Sequence, residues 1–216
     1  MKHSSLCAAV AAALCFTGLA SANMITIDSV AGMTTSMSGI NTVAITPHPA
    51  WEGQNPVNPG DPTDTSAVWI SYADTGFGGL TFQPYMGMTP VVTIYEDFTA
   101  LADSKLRLNV WADDTATVKL DGTSLMDAQF TNTTCSGQPI GCVPTDVGDI
   151  TANISAGSHE LAFTLFQTGN GGDTTSNPFG VLFTGTVDPT PEPGTCLLVG
   201  GCLLVAGLVR RRSLSR

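Results

Sequence analysis

Positive charge is nearly missing from the middle of this 216-residue chain. Between residues 23 and 188 only Lys105, Arg107 and Lys119 are basic, against seventeen acids, a net of −14. Such a surface repels phosphate, which excludes nucleic acid as a partner and favours cations, calcium among them. Acidity also keeps an exported protein soluble, so by itself it assigns no ligand. Helical periodicity is close to absent over the same residues, which excludes a bundle or a doubly wound α/β fold. Catalytic signatures are missing too. The region holds two histidines, His48 and His159, with no nucleophile elbow and no His-x-x-x-His pair. Glu96 and Asp97 are adjacent acids, but neighbours on a strand point to opposite faces. The expectation is a non-catalytic body.

Cysteine is scarce where folding happens. Cys7 and Cys15 lie in an N-terminal apolar run and Cys196 and Cys202 in a C-terminal one, leaving Cys135 and Cys142 between. Their spacing, with Gly137, Pro139 and Gly141 inside it, suits a loop closed by a disulfide, two free thiols being the alternative. A structural zinc site would need a second cysteine pair, and none is present.

Both ends of the chain look like addresses. Lys2, the apolar run Leu6–Leu19 and Ala20-Ser21-Ala22 form a charged start, a hydrophobic segment and a small-x-small cleavage site. Cleavage after Ala22, read through Ala20 and Ala22, makes residues 1–22 a signal peptide and sends the rest into an oxidising compartment. Residues 23–188 then form one domain. Residues 189–216 follow: Pro191-Glu192-Pro193, the uncharged run Thr195–Val209, and Arg210-Arg211-Arg212. As a helix the run spans ~22 Å, short of the ~30 Å hydrocarbon core, though long arginine side chains can reach back to the headgroups. Arginines after the run place the C-terminus in the cytoplasm and the domain outside.

Tripeptide, short apolar helix and arginine cluster in this order resemble the PEP-CTERM sorting signal of bacterial envelope and extracellular proteins. The resemblance implies processing by exosortase, a membrane-embedded cysteine-dependent enzyme. The protein would then sit in the membrane only until it is released or transferred to the cell surface. A permanent single-pass anchor on a proline-rich stalk is the other reading of these residues, and the short run argues against it.

Strand signals fill the domain. Met24–Val30, Thr42–Ile45, Ala67–Tyr72, Val91–Tyr95, Leu106–Trp111, Thr115–Leu120, Asp149–Ile154, His159–Phe166 and Gly180–Val187 read as short strands. Proline-rich residues 46–65 read as a surface loop, with Trp51 pinning it to the sheet. The regular stretch sets Leu106, Leu108 and Val110 on one face and Arg107, Asn109 and Trp111 on the other. Asp113-Asp114 is read as a turn, Ala116, Val118 and Leu120 as the next buried face, and Asp121-Gly122 as a second tight turn, giving an antiparallel meander. The expected architecture is all-β: a two-sheet antiparallel β-sandwich, jelly-roll-like.

Ala112-Asp113-Asp114-Thr115 followed by Leu120-Asp121-Gly122 resembles the Asp-Asp … Asp-Gly hairpin of β-sandwich lectin-type modules related to the protective-antigen and galactose-binding-like folds. That resemblance implies calcium at Asp113 and Asp114, with the ion fixing sugar hydroxyls. Carboxylate oxygens are the ligands calcium takes. Trp111 beside the pair would offer a flat face to a pyranose ring, with Asn109 as a further glycan contact. Asp121 lies one six-residue strand away, ~20 Å if the strand is straight, and at that distance cannot share the ion. Two readings stand: an exported matrix or envelope protein with no ligand of its own, in which the aspartates only form turns, or a calcium-assisted module for exopolysaccharide or envelope glycans.

Overall fold

Alternating apolar residues become eleven strands among the described residues of a computed structural model, which describes 23–51, 58–81, 83–130, 139–168, 177–190 and 200–201. In chain order they are β1 (Ile25–Asp28), β2 (Thr34–Thr35), β3 (Val43–Ala44), β4 (Ile70–Ser71), β5 (Pro90–Ala100) and β6 (Ser104–Asp113), followed by β7 (Thr115–Leu120), β8 (Thr123–Met126), β9 (Gly148–Ile154), β10 (Gly157–Phe166) and β11 (Gly180–Pro189). One sheet runs β3-β4-β11-β6-β9 with β1 also paired to β11; the other runs β2-β5-β10-β7-β8. The registered pairs are antiparallel. The unit so formed is Met24–Asp188.

Period-2 patterning explains the core. Leu106, Leu108 and Val110 from one sheet, and Ala116, Val118, Leu161, Phe163 and Leu165 from the other, are all fully buried. Phe163 stacks on Phe183 with ring centroids 4.0 Å apart, joining the two sheets at their centre. The all-β, two-sheet expectation holds.

The meander does not. β6 and β7 lie in different sheets, as do β9 and β10, so Asp113-Asp114 is a crossover between layers and not a hairpin turn. Alternation shows which face of a strand is buried. It does not show the neighbour, and two strands facing one core from opposite sheets give the same pattern as two in one sheet. Asp121-Gly122 does make a hairpin: Asp121 has φ 49° and Gly122 φ 78°, joining Leu120 to its partner Thr123.

A second cluster covers the outer face of the first sheet. Ile45, Trp51, Ala67, Trp69, Trp111, Cys142 and Leu182 pack there, and Trp51 stacks on Trp69 at 4.1 Å. Trp51 ends a single 3-10 turn, Pro49–Trp51, and pins the proline-rich loop as the sequence suggests. With that face covered, β11 is buried on both sides from Gly180 to Val187. Cys142 is wholly buried and disulfide-bonded, while Cys135 lies outside the described residues. So do Ala20, Ala22, Pro191, Glu192, Pro193, Arg210, Arg211 and Arg212. Among the described residues no helix is long and apolar enough to cross a membrane.

Candidate functional site

Asp113 is the last residue of β6, and Asp114 bridges it to β7 in the opposite sheet. Both are buried, at 5% and 6% exposure, and the peptide between them is cis. Along β6, Arg107, Asn109, Trp111 and Asp113 share a face by the two-residue period. Asp113 therefore points to the outer side, where the indole Nε1–H of Trp51 donates to its Oδ2 at 2.8 Å. Asp114 Oδ2 accepts from the backbone N–H of Thr168 at 2.7 Å and from the Thr168 hydroxyl at 3.3 Å. The Asp114 N–H donates to the carbonyl of Phe166 at 3.2 Å, tying the crossover to the end of β10.

Burial, then the charge of Asp114 and a hydrogen bond with it, hold the Asp113 carboxyl well above its usual value of 3.8; the Trp51 N–H opposes this only in part. Two adjacent carboxyls withdrawn from water cannot both carry charge unless something positive sits beside them. A shared proton meets that need, and so does a hard cation. Oxygen donors of this kind suit calcium or magnesium, and zinc would call for imidazole or thiolate. Among the described residues no group of three or more His, Cys, Asp or Glu side chains is placed to hold a metal. Were a hard cation to bind here, the acid pair could supply two protein ligands, with hydroxyl, carbonyl or water oxygens supplying the rest.

Other expected residues fall elsewhere. Trp111 is only 4% exposed inside the second cluster, its Nε1–H donating to the Pro144 carbonyl at 3.4 Å. It offers no face to a sugar. Trp51 from the proline-rich loop and Cys142 from the segment before β9 belong to the cluster that covers the side of β6 a two-layer reading leaves open. Asn109 is half-buried opposite Asp149, four residues or ~13 Å back from Asp113 along the strand. Asp121 sits at the far end of β7, so it shares no ion with Asp113, and the lectin-type hairpin is not reproduced as a local unit.

Asp121 instead meets His159. Its Oδ2 lies 2.7 Å from Nδ1, its Oδ1 accepts from the Glu160 N–H at 2.9 Å, and His159 Nε2 lies 2.9 Å from the Ser155 carbonyl. With an acceptor at each ring nitrogen, the doubly protonated imidazole fits best. The hydrogen bond from Asp121 raises the His159 pKa above 6.5, and the same bond lowers that of Asp121. An open depression of about 350 Å³ lies over this pair, with Asp97, Phe98 and Glu160 also on its wall.

Sequence reasoning also passed over an uncharged stretch. Thr75 to Tyr95 carries no acidic or basic residue in a body that is otherwise strongly acidic, a signal present in the sequence. In the structure its loop joins β4 to β5 and leaves several large apolar side chains in solvent.

No protein-family model and no curated protein matches the chain in sequence. Solved structures similar to it include a family 35 carbohydrate-binding module from Clostridium thermocellum, at 14% identity over 77% of this chain and 99% of that one, with a TM-score of 0.36. A second such module, from Paenibacillus barcinonensis, is 13% identical over the same shares with a TM-score of 0.35. A Podospora anserina β-(1,4)-mannanase that contains one is 9% identical, over 78% of this chain and 29% of that one, with a TM-score of 0.37.

Proposed function

We propose that the body of this protein is a non-catalytic, calcium-assisted carbohydrate-binding module, with its site at the end of the sandwich that carries Asp113 and Asp114. The observation that supports this most directly is the acid pair itself. Two neighbouring carboxyls are buried and hydrogen-bonded at a layer crossover, with Asp113 held well above the usual carboxylate range by its surroundings. Asp113 and Asp114 would hold the ion, whose chemistry is to accept hydroxyl oxygens of a sugar as further ligands. The chain's own contribution is orientation: Trp51 fixes one carboxylate and Thr168 the other.

Calcium titration by calorimetry tests this reading, followed by binding of soluble glycans with and without the ion. Saturable calcium binding lost in Asp113→Asn, with glycan binding lost alongside it, is the expected result. Glycan binding indifferent to both calcium and Asp113 would remove the calcium role. No binding to either would leave the matrix protein without a ligand.

We further propose that the chain is exported, processed by exosortase through Pro191-Glu192-Pro193 and Arg210–Arg212, and displayed at the surface or released. The support is the order of sequence features in the tail. Replacing Arg210, Arg211 and Arg212 with alanine should leave unprocessed precursor in the membrane fraction; normal release of that variant would overturn the proposal.

A further inference from the structure

We infer that the loop between β4 and β5 grips the apolar face of a neutral polysaccharide through its exposed rings, Phe77 and Tyr85. The inference rests on the carbohydrate reading above and narrows its ligand to an uncharged polymer. In this loop Phe77 is 53% exposed, Tyr85 54%, Leu80 94% and Met88 71%. Large apolar side chains in water are uncommon in one short loop without a partner to meet them.

The rings stand on a backbone tied down at several points. The Phe77 N–H donates to the Thr46 carbonyl, the Thr81 N–H to that of Asp74, and the Phe179 N–H to that of Thr75, each at 2.9 Å. Further along, the Tyr72 hydroxyl donates to Gln83 Oε1, and the Asn177 amide donates to the Gln83 carbonyl. The Met86 N–H donates to the Gln167 carbonyl at 3.0 Å. Pre-ordered rings lose little entropy when a ligand lies on them.

The loop also touches residues that support the acid pair. Phe77 lies edge-on to His48 at 5.4 Å, and His48 edge-on to Trp51 at 6.2 Å, whose indole N–H holds Asp113. Elsewhere in the loop Tyr85 precedes Met86, which is bonded to Gln167, and Gln167 precedes Thr168, which holds Asp114. The loop that carries Phe77 and Tyr85 is thus linked to Trp51 and Thr168, the residues that hold the two aspartates.

Charge decides the ligand class. The body has a net of −14, and the loop is uncharged from Thr75 to Tyr95. A polyuronate or an anionic membrane would meet repulsion on approach, and a neutral sugar chain would not. A pyranose also presents a C–H face to an aromatic ring, which matches exposed rings on an uncharged loop.

The test uses the full-length chain purified in mild detergent. Depletion on insoluble mannan, glucan, galactan and xylan would be measured in calcium, with polygalacturonate and phosphatidylcholine vesicles in parallel. Phe77→Ala and Tyr85→Ala should each weaken binding to a neutral polysaccharide by about tenfold. Calcium affinity and melting temperature should stay as in the wild type, and Phe77→Tyr and Tyr85→Trp should keep the binding. Unchanged polysaccharide binding in both alanine variants would overturn the loop assignment and leave the carbohydrate reading standing. So would preference for polygalacturonate, or loss confined to the vesicles. If the wild-type chain retains no glycan at all, the carbohydrate reading itself falls and the loop assignment with it.

Discussion

Trp51 and Asp113, 62 residues apart in the chain, are joined by a 2.8 Å hydrogen bond from the indole Nε1–H to a buried carboxyl oxygen. The bond ties the proline-rich loop to the crossover between the sheets, so the same indole serves packing through its face and the acid pair through its edge. Trp51→Phe keeps an aromatic ring against Trp69 and removes the donor. Leaving a buried acceptor short of its partner costs ~1–3 kcal/mol, and that loss is expected in urea denaturation at pH 7. A loss well below ~0.5 kcal/mol, the scatter of neutral surface changes, would make the bond incidental.

Stability should fall with rising pH because of Asp113. Burial first, and then the Asp114 charge, raise its folded pKa well above 3.8, so the folded state keeps a proton that the unfolded chain has released. Above 3.8 the unfolded state binds fewer protons, and stability declines until pH passes the raised folded value. Asp113→Asn should remove that slope between pH 4 and 8. Saturating calcium should flatten it in the wild type by taking the proton's place. Denaturation midpoints across this range, with and without the ion, measure both effects, and a slope untouched by Asp113→Asn would contradict the assignment.

Residue pattern carried much of this fold and less of the site. Leu106, Leu108 and Val110 were legible as a buried face because alternation reports burial directly. Asp121-Gly122 was legible as a hairpin turn because few residues accept positive φ. The partners of those strands were not legible, since sheet assignment depends on contacts such as Gly157 to Phe166 against Pro90 to Ala100, which local pattern does not encode. The acid pair was legible as a local Asp-Asp motif. Its second sphere, Trp51 from one loop and Thr168 from another, came only with the tertiary structure. Trp111 was misplaced for the same reason: its strand alternates as though half-exposed, and a distant loop buries the other half.

Gly185→Ala should be among the most damaging small substitutions in the body. Gly185 is in β11, where an added methyl would run into the backbone carbonyl of Arg107 on β6 and come within 2.9 Å of Leu108 Cδ1. Backbone cannot swing aside as a long side chain can. Asn58, fully buried, also donates to the Gly185 carbonyl at 2.6 Å, so a shift of β11 breaks a second contact. Overpacking of this kind costs ~1–3 kcal/mol or more. Thermal melting of the variant measures it. A melting temperature equal to wild type would show that β6 and β11 can separate freely here.

His159 and Asp121 should give the fold a stability plateau with two shoulders. The Asp121 hydrogen bond raises the histidine above 6.5, so its contribution is complete below 6.5 and is lost as pH climbs through the raised folded value. Asp121 is lowered from 3.8, chiefly by His159, so its contribution is complete above 3.8 and is lost as pH falls through the lowered value. The two windows overlap between 3.8 and 6.5. The Asp121 side chain is 48% exposed, so solvent screens the pair and its worth is under ~1 kcal/mol. His159→Gln, neutral at every pH, should be less stable than wild type by a constant small margin across the plateau. The gap should close above it as the wild-type imidazole loses its proton. Melting curves from pH 3 to 9 give the margin, and NMR titration of the His159 ring gives the pKa. A ring that titrates at or below 6.5 would mean that Asp121 holds the imidazole in place without holding its charge.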